Sequence, residues 1–176
     1  MMNYQEVDGD LIELAKRAEF DVIAHGCNCR SQMGAGIAPQ MAKAFGCNNF
    51  PMERIGTDMN KLGNIDYKTF VLGSNGSIWS TDDGWNRQLE PELIVVNAYT
   101  QFNYGRNHSD GDAIPFSYEA FTLCMRKMNY QFKGKKIGLP KIGAGLAGGN
   151  WKIIKSIIIR ELADCYVTVV NYKPIF

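Results

Sequence analysis

No stretch of about eighteen consecutive apolar residues occurs in this sequence, so no segment is long enough to cross a bilayer as a helix. The first ten residues, MMNYQEVDGD, lack the basic-then-apolar order of a secretory signal, and a cytoplasmic location is expected. An excess of one charge is missing too. The 19 Lys and Arg against 18 Asp and Glu leave a net +1. That is too little to neutralise a run of phosphates, so neither nucleic acid nor a membrane is expected as a partner. Histidine is scarce, with only His25 and His108. His25, Cys27 and Cys29 lie close together, but a structural zinc site usually needs two spaced pairs of ligands. No second pair follows, so no metal and no cofactor are expected. The five cysteines, at 27, 29, 47, 124 and 165, then read as reduced thiols rather than a disulfide framework. Repeats, linkers and low-complexity stretches are also lacking. The 176 residues, 45% of them hydrophobic, are expected to form one domain over 1–176, monomeric and large enough to bury a full core.

What is present is an alternation of apolar strands and amphipathic helices. "NYQEV" reads as a first strand. Asp10 then caps a helix whose Leu11, Leu14, Ala15 and Ala18 share one face, with Glu13 placed as in a capping box. "DVIAHG" (21–26) is a buried strand, 27–36 a loop, and "IAPQMAKAF" a helix with Pro39 in its first turn and Gly46 at its end. A strand and hairpin are expected over 65–90, with "GSNGS" as the turn and a polar "STDDGWNRQ" after it. "LIVVNAYT" (93–100) is a second continuous apolar strand. Loop 103–115 carries His108, which reads as a surface residue or, less simply, a site member. Ser117 caps a helix to about Asn129, "KIGLPKI" (136–142) is a third buried strand, Asn150 caps another helix, and "YVTVVNY" is the last strand. Buried strands separated by such helices predict a three-layer α/β/α domain around a largely parallel sheet.

"LPKIGAGLAGGNWKII" (139–154) contains Gly143, Gly145 and Gly148 at the G-x-G-x-x-G spacing of dinucleotide-binding loops. Only one helix and one strand follow, so the second half of a dinucleotide fold has no room. The loop still joins a strand end to a helix start, where free N–H groups and the helix dipole favour an anion. Gly34-Ala35-Gly36-Ile37 follows the strand at 21–26 in the same way. Ligands of open α/β sheets sit outside the C-terminal strand ends, so the two loops are placed to grip one diphosphate from two sides.

Taken together, "GDLI" (9–12), "AHGCN" (24–28) with "GAGIA" (34–38), and "KIGAGLAGGNW" resemble, in order, the motifs of a macrodomain, the ADP-ribose-binding fold. The resemblance covers nearly the whole chain. It is nearest to the subgroup of yeast and phage ADP-ribose-1''-phosphate phosphatases, which write the first motif as His-x-Cys-Asn-Cys. It implies a three-layer α/β/α macrodomain with a mostly parallel mixed sheet, and a host cytoplasm if the chain is phage-encoded. By the same resemblance, Asp10 would accept from the adenine amino group and the Leu11 backbone would touch the ring. Amides of Gly34, Ala35, Gly36 and Ile37, and of Gly143, Ala144, Gly145, Leu146 and Ala147, would bind the diphosphate. Asn28 would hydrogen-bond the distal ribose, although a loop asparagine can equally satisfy its own backbone. Asn171 or Tyr172 would flank the adenine.

Two departures from the family pattern bear on chemistry. Terminal ADP-ribose glycohydrolases use a lysine near strand 93–100 and an acid in the second loop. This chain has Thr100 or Gln101, and Ala147, at the matching positions, which removes the covalent lysine route. His25 stands where the family usually has asparagine. It reads as a core histidine bonded to a neighbouring strand, or as a pocket residue that protonates the leaving group or attacks phosphorus. The expected function is binding of ADP-ribose and hydrolysis of its 1''-phosphate, with His25 and Asn28 as catalytic candidates. The alternatives are a non-catalytic reader of ADP-ribose, free or on protein, and a hydrolase that removes ADP-ribose from modified proteins.

Overall fold

A computed structural model of the protein describes residues 3–81, 91–104 and 114–174. The elements run β1 (Tyr4–Gly9), α1 (Leu11–Lys16), β2 (Val22–Asn28), α2 (Ala38–Phe45), α3 (Pro51–Arg54), β3 (Ile65–Leu72), β4 (Ile78–Ser80), β5 (Glu92–Gln101), α4 (Tyr118–Gln131), β6 (Lys136–Leu139), α5 (Trp151–Glu161) and β7 (Tyr166–Tyr172). The strands form one sheet in the order β1-β7-β6-β2-β5-β3-β4. β1, β7, β6, β2 and β5 are parallel; β3 runs antiparallel to β5, and β4 antiparallel to β3. The three-layer α/β/α architecture with a mixed, mostly parallel sheet is therefore present.

Both sheet faces are covered, which is why the strands read as continuous apolar runs. On one face Val22, Ala24, Val96 and Ala98 pack against Phe121, Met125, Ile154 and Ile158 of α4 and α5. On the other, Ile23 and Val95 pack against Leu11, Met41 and Phe45 of α1 and α2, and Phe50. Expected caps hold three helices in place. Asp10 Oδ1 accepts from the Ile12 and Glu13 amides at 3.0 and 3.1 Å, Ser117 Oγ from Ala120 N at 3.1 Å, and Asn150 Oδ1 from Lys152 N at 3.0 Å.

Some boundaries differ from the sequence expectation. α1 stops at Lys16 rather than reaching Ala18, whose φ of +60° turns the chain so that Phe20 enters the core. β6 ends at Leu139, since Pro140 has no N–H for the ladder, whereas β2 continues to Asn28 beside β5. Two 3-10 turns, Cys47–Asn49 and Met59–Lys61, and the short α3 were not expected between α2 and β3. The expected loops overlap residues 82–90 and 105–113, so His108 lies outside the described residues. Among the described residues, no helix is long and apolar enough to cross a membrane.

β2 pairs with β6 only at Val22–Ile137 and Ile23–Gly138. Beyond that point β6 has ended while β2 runs on with β5. The gap between their C-terminal ends is where the site forms.

Candidate functional site: a cleft between two glycine loops

Two connected cavities occupy that gap. The larger, about 620 Å³, is lined among others by Asp10, Leu11, Gly36, Ile37, Asn171 and Tyr172. The smaller, about 230 Å³, is lined by Gly26, Thr100, Gln101 and the Gly143–Ala147 loop. Gly36, Ile37, Pro140 and Lys141 border both, so the two make one cleft with the glycine loops facing each other across it. Gly34, Ala35 and Ala144 belong to the loops but do not line the cavities.

The amides in both loops are available. Among the described residues, the N–H groups of Gly36 and Ile37, and of Gly145, Leu146 and Ala147, donate to no acceptor. The second loop is braced internally, with Gly149 N donating to Gly143 O at 2.7 Å and Gly148 N to Gly145 O at 3.1 Å. Gly143 has φ +77°, and a Cβ there would lie 2.4 Å from the Phe116 ring, so this turn requires glycine. The first loop is held by Gln40, whose side-chain amide donates to the Gly36 and Ile37 carbonyls at 3.0 and 3.2 Å. These contacts leave free amides on residues that line the cleft, the arrangement that binds phosphate oxygens.

Polar groups at the two ends differ. At the larger end, Asp10 uses Oδ1 for both capping bonds, which leaves Oδ2 without a donor among the described residues. Tyr172 is 72% exposed at the end of β7, beside Leu11 in the wall of the cleft. Asn171 lines the same wall; its Nδ2 reaches Asp8 Oδ1 at 3.5 Å and its buried Oδ1 has no partner among the described residues. At the smaller end, Thr100 is wholly buried and its hydroxyl has no partner among the described residues. Gly26 lies against it, and a Cβ on Gly26 would come within 3.1 Å of Thr100 Oγ1 and 2.9 Å of Ile142.

The two residues expected to be catalytic, His25 and Asn28, line neither cavity. His25 shares a face with Ile23 and Cys27, beneath the cleft rather than in it, and is completely buried. Its Nε2 lies 2.7 Å from Asn97 Oδ1. Asn97 Nδ2 donates to Cys47 O at 3.0 Å, so Oδ1 is the acceptor and the histidine carries its proton on Nε2. Burial pushes its pKa down from 6.5 to about 4, only partly offset by the Asn97 bond. This enclosed imidazole has its Nε2 proton committed to Asn97, while its buried Nδ1 has no partner among the described residues. Asn28 is turned into its own loop: Oδ1 accepts from the amides of Arg30 (3.1 Å) and Gln32 (3.2 Å), and Nδ2 donates to Gln32 O at 2.7 Å. It shapes the turn and lines neither cavity. Among the described residues, no three His, Cys, Asp or Glu side chains converge as a metal site.

Below the 28–34 loop lies a buried polar cluster that sequence reasoning missed. Tyr99 donates to Glu53 Oε1 at 2.9 Å, and Lys61 donates to Ser31 Oγ at 2.8 Å and to the Gly56 carbonyl. Ser31 Oγ donates to Glu53 O at 2.8 Å. Burial raises the Glu53 carboxyl, against the Tyr99 hydrogen bond and Lys61, which lower it. Gln40, Pro140 and Lys141 were missed too: Gln40 belongs to no motif, and Pro140 and Lys141 read as the end of a buried strand rather than as cleft wall.

No protein-family model matches the chain. An uncharacterized 17.5 kDa protein of phage T4, from the tk-vs intergenic region, is 31% identical over 176 residues, covering 96% of each chain. A Meyerozyma guilliermondii protein named ADP-ribose 1''-phosphate phosphatase is 24% identical over 94% of this chain and 98% of its own. The macrodomain of Thermus aquaticus DarG matches 97% of this chain and 98% of that one with a TM-score of 0.56 and 19% identity. The chain has the macrodomain fold. Thermosipho africanus DarTG, solved in complex with ADP-ribose, shares the fold over 99% of this macrodomain and 42% of that chain, with a TM-score of 0.66 and 17% identity.

Proposed function

We propose that this macrodomain binds ADP-ribose in the cleft and hydrolyses ADP-ribose 1''-phosphate to ADP-ribose and phosphate. The observation that carries the binding reading is the pair of glycine loops opposed across one cleft, with the unengaged Asp10 Oδ2 at one end. The adenine lies between Leu11 and Tyr172 with its amino group on Asp10, the diphosphate takes the amides of both loops, and the distal ribose enters the recess at Thr100 and Gln101. The name of the yeast relative supports the phosphatase reading.

The described lining of that recess holds no imidazole, thiol or carboxylate. Catalysis then rests on positioning and charge stabilisation, which carry most of phosphoryl transfer. Water attacks phosphorus, the bond from phosphorus to the C1'' oxygen breaks, and that oxygen takes a proton from solvent. Loop amides stabilise the charge that builds on the phosphoryl oxygens. The same bare lining favours a second reading, a non-catalytic reader of ADP-ribose.

One paired assay separates them: calorimetric titration with ADP-ribose, and phosphate release from ADP-ribose 1''-phosphate with and without a chelator. Binding with chelator-insensitive release supports the phosphatase. Binding without release leaves the reader, and absence of binding overturns both. Loss of label from an ADP-ribosylated protein would instead show the de-ADP-ribosylating activity.

A further inference from the structure

Among the described residues lining the distal recess Lys141 alone is charged, yet the substrate proposed above carries an extra phosphate there. Apart from Lys141, nothing in the described lining distinguishes ADP-ribose from its 1''-phosphate by charge. The cations around the rim are therefore informative. Lys141 borders the cleft, but its ammonium lies over the Trp151 ring, 5.4 Å from its centre. Lys61 is buried beneath the first loop and committed to Ser31 and Gly56.

Arg30 is different. It is exposed, two residues past the end of β2, and the Asn28 side chain fixes its backbone by accepting from its amide. Its guanidinium lies over the Tyr104 ring at 5.5 Å, and Nη1 donates to Asn103 Oδ1 at 3.3 Å. The Asn103 carbonyl accepts from Gln101 Nε2 at 2.7 Å, and Gln101 is part of the recess wall. The backbone repeats the tie, with Cys29 N donating to the Gln101 and Phe102 carbonyls at 3.0 Å. Among the described residues, no carboxylate pairs with Arg30. An arginine stacked on an aromatic ring, held by one amide oxygen and without an acid, keeps most of its donors for an incoming anion.

We infer that Arg30 is the residue that selects the phosphorylated ligand, its guanidinium meeting the terminal phosphate at the mouth of the distal recess. The inference rests on the cleft being the ADP-ribose site. Arg30 is a specificity residue here, since the loop amides alone suffice for the diphosphate that both ligands share.

The test compares wild type, Arg30→Gln and Arg30→Lys for affinity toward ADP-ribose and toward ADP-ribose 1''-phosphate, and for release of phosphate. Arg30→Gln is expected to weaken the phosphorylated ligand by roughly tenfold or more, mainly through KM, while ADP-ribose affinity stays within about twofold. Arg30→Lys should recover part of the loss, and the salt dependence of binding should fall in Arg30→Gln. Equal weakening of both ligands would make Arg30 a structural residue, and no weakening of either would remove it from the site; each overturns the inference. Wild type that binds the two ligands with equal affinity overturns it as well. Wild type that prefers the phosphorylated ligand without releasing phosphate overturns the phosphatase reading alone, and a preference lost in Arg30→Gln then still supports Arg30.

Discussion

His25 and Asn97 sit side by side on β2 and β5, completely buried, with Nε2 2.7 Å from Oδ1. The bond joins two central strands directly under the loop that carries Gly34 to Ile37. Because the folded protein holds this histidine neutral, with its pKa lowered from 6.5 to about 4, the unfolded chain binds more protons between those values. Stability is thus fully present above pH 6.5 and falls as the pH is lowered toward 4, by on the order of 3 kcal/mol from this residue. Denaturant unfolding at a series of pH values should show that slope in wild type. His25→Ala should lack it, and should unfold about 2–4 kcal/mol more easily at pH 7.5, because it leaves a cavity and an unpaired Asn97 oxygen. The folded variant should keep its turnover per molecule. A loss of turnover in a stably folded His25 variant would return the imidazole to the chemistry.

Asp10 caps α1 through Oδ1, and Oδ2 is the oxygen proposed to meet the adenine, so substitutions can separate the two roles. Asn is as good a cap as Asp, so Asp10→Asn should unfold within about 0.5 kcal/mol of wild type. It removes the charged acceptor proposed for the adenine amino group and should weaken ADP-ribose roughly tenfold. Asp10→Ala should show the same weakening and also lose about 1 kcal/mol of stability with the cap. Calorimetry together with denaturation measures both quantities. Unchanged affinity in Asp10→Asn would exclude Asp10 as a contact to the adenine.

These two residues also mark what could be read from the chain alone. Asp10 was legible as a cap because capping is local, written in the residues that follow it. Ser117, Asn150 and the glycine turns were legible for the same reason, and buried runs separated by helices were enough for the layers. The side His25 faces was not legible. In an amphipathic strand the alternation would reveal it, but β2 is covered on both faces, so Ile23, Ala24, His25 and Cys27 are all buried and the pattern carries no direction. The cleft wall was hidden for another reason. Gln40, Pro140 and Lys141 meet only because β2 and β6 diverge, a consequence of Pro140 ending one strand while the other runs on. The Glu53–Tyr99–Lys61 cluster joins residues from three separate segments, with no spacing to announce it.

The second glycine loop offers a contrast between two neighbouring positions. Gly143 has φ +77° and stands against the Phe116 ring, whereas Gly145 lacks a positive φ and a Cβ there would meet nothing within 4 Å. Gly143→Ala should therefore be destabilised by several kcal/mol, through both strain and overlap with the core. Gly145→Val should fold with near-wild-type stability but narrow the recess it lines, and lose ADP-ribose binding by about tenfold or more. Thermal unfolding and calorimetry of the two variants test the pair. Full binding by Gly145→Val would mean that the ligand does not use this loop.

All five thiols are buried, and burial raises each of their pKa values. Cys29 and Cys165 are pushed up to about 11, Cys47 and Cys124 to about 12, and Cys27 well above its ordinary value. Since the thiolate is the nucleophile and the metal ligand, such thiols are unreactive at neutral pH. Iodoacetamide at pH 8 should label the native protein at the rate of its unfolding, and all five cysteines should react promptly in denaturant, as mass spectrometry would count. Phosphate release should survive both prolonged alkylation of the folded protein and a chelator. Rapid labelling of Cys27 or Cys47 in the folded state, with loss of turnover, would show that the space around His25 opens to solvent. In that case the imidazole and its two sulfur neighbours, at 3.5 and 3.6 Å, would have to be reconsidered as reacting groups.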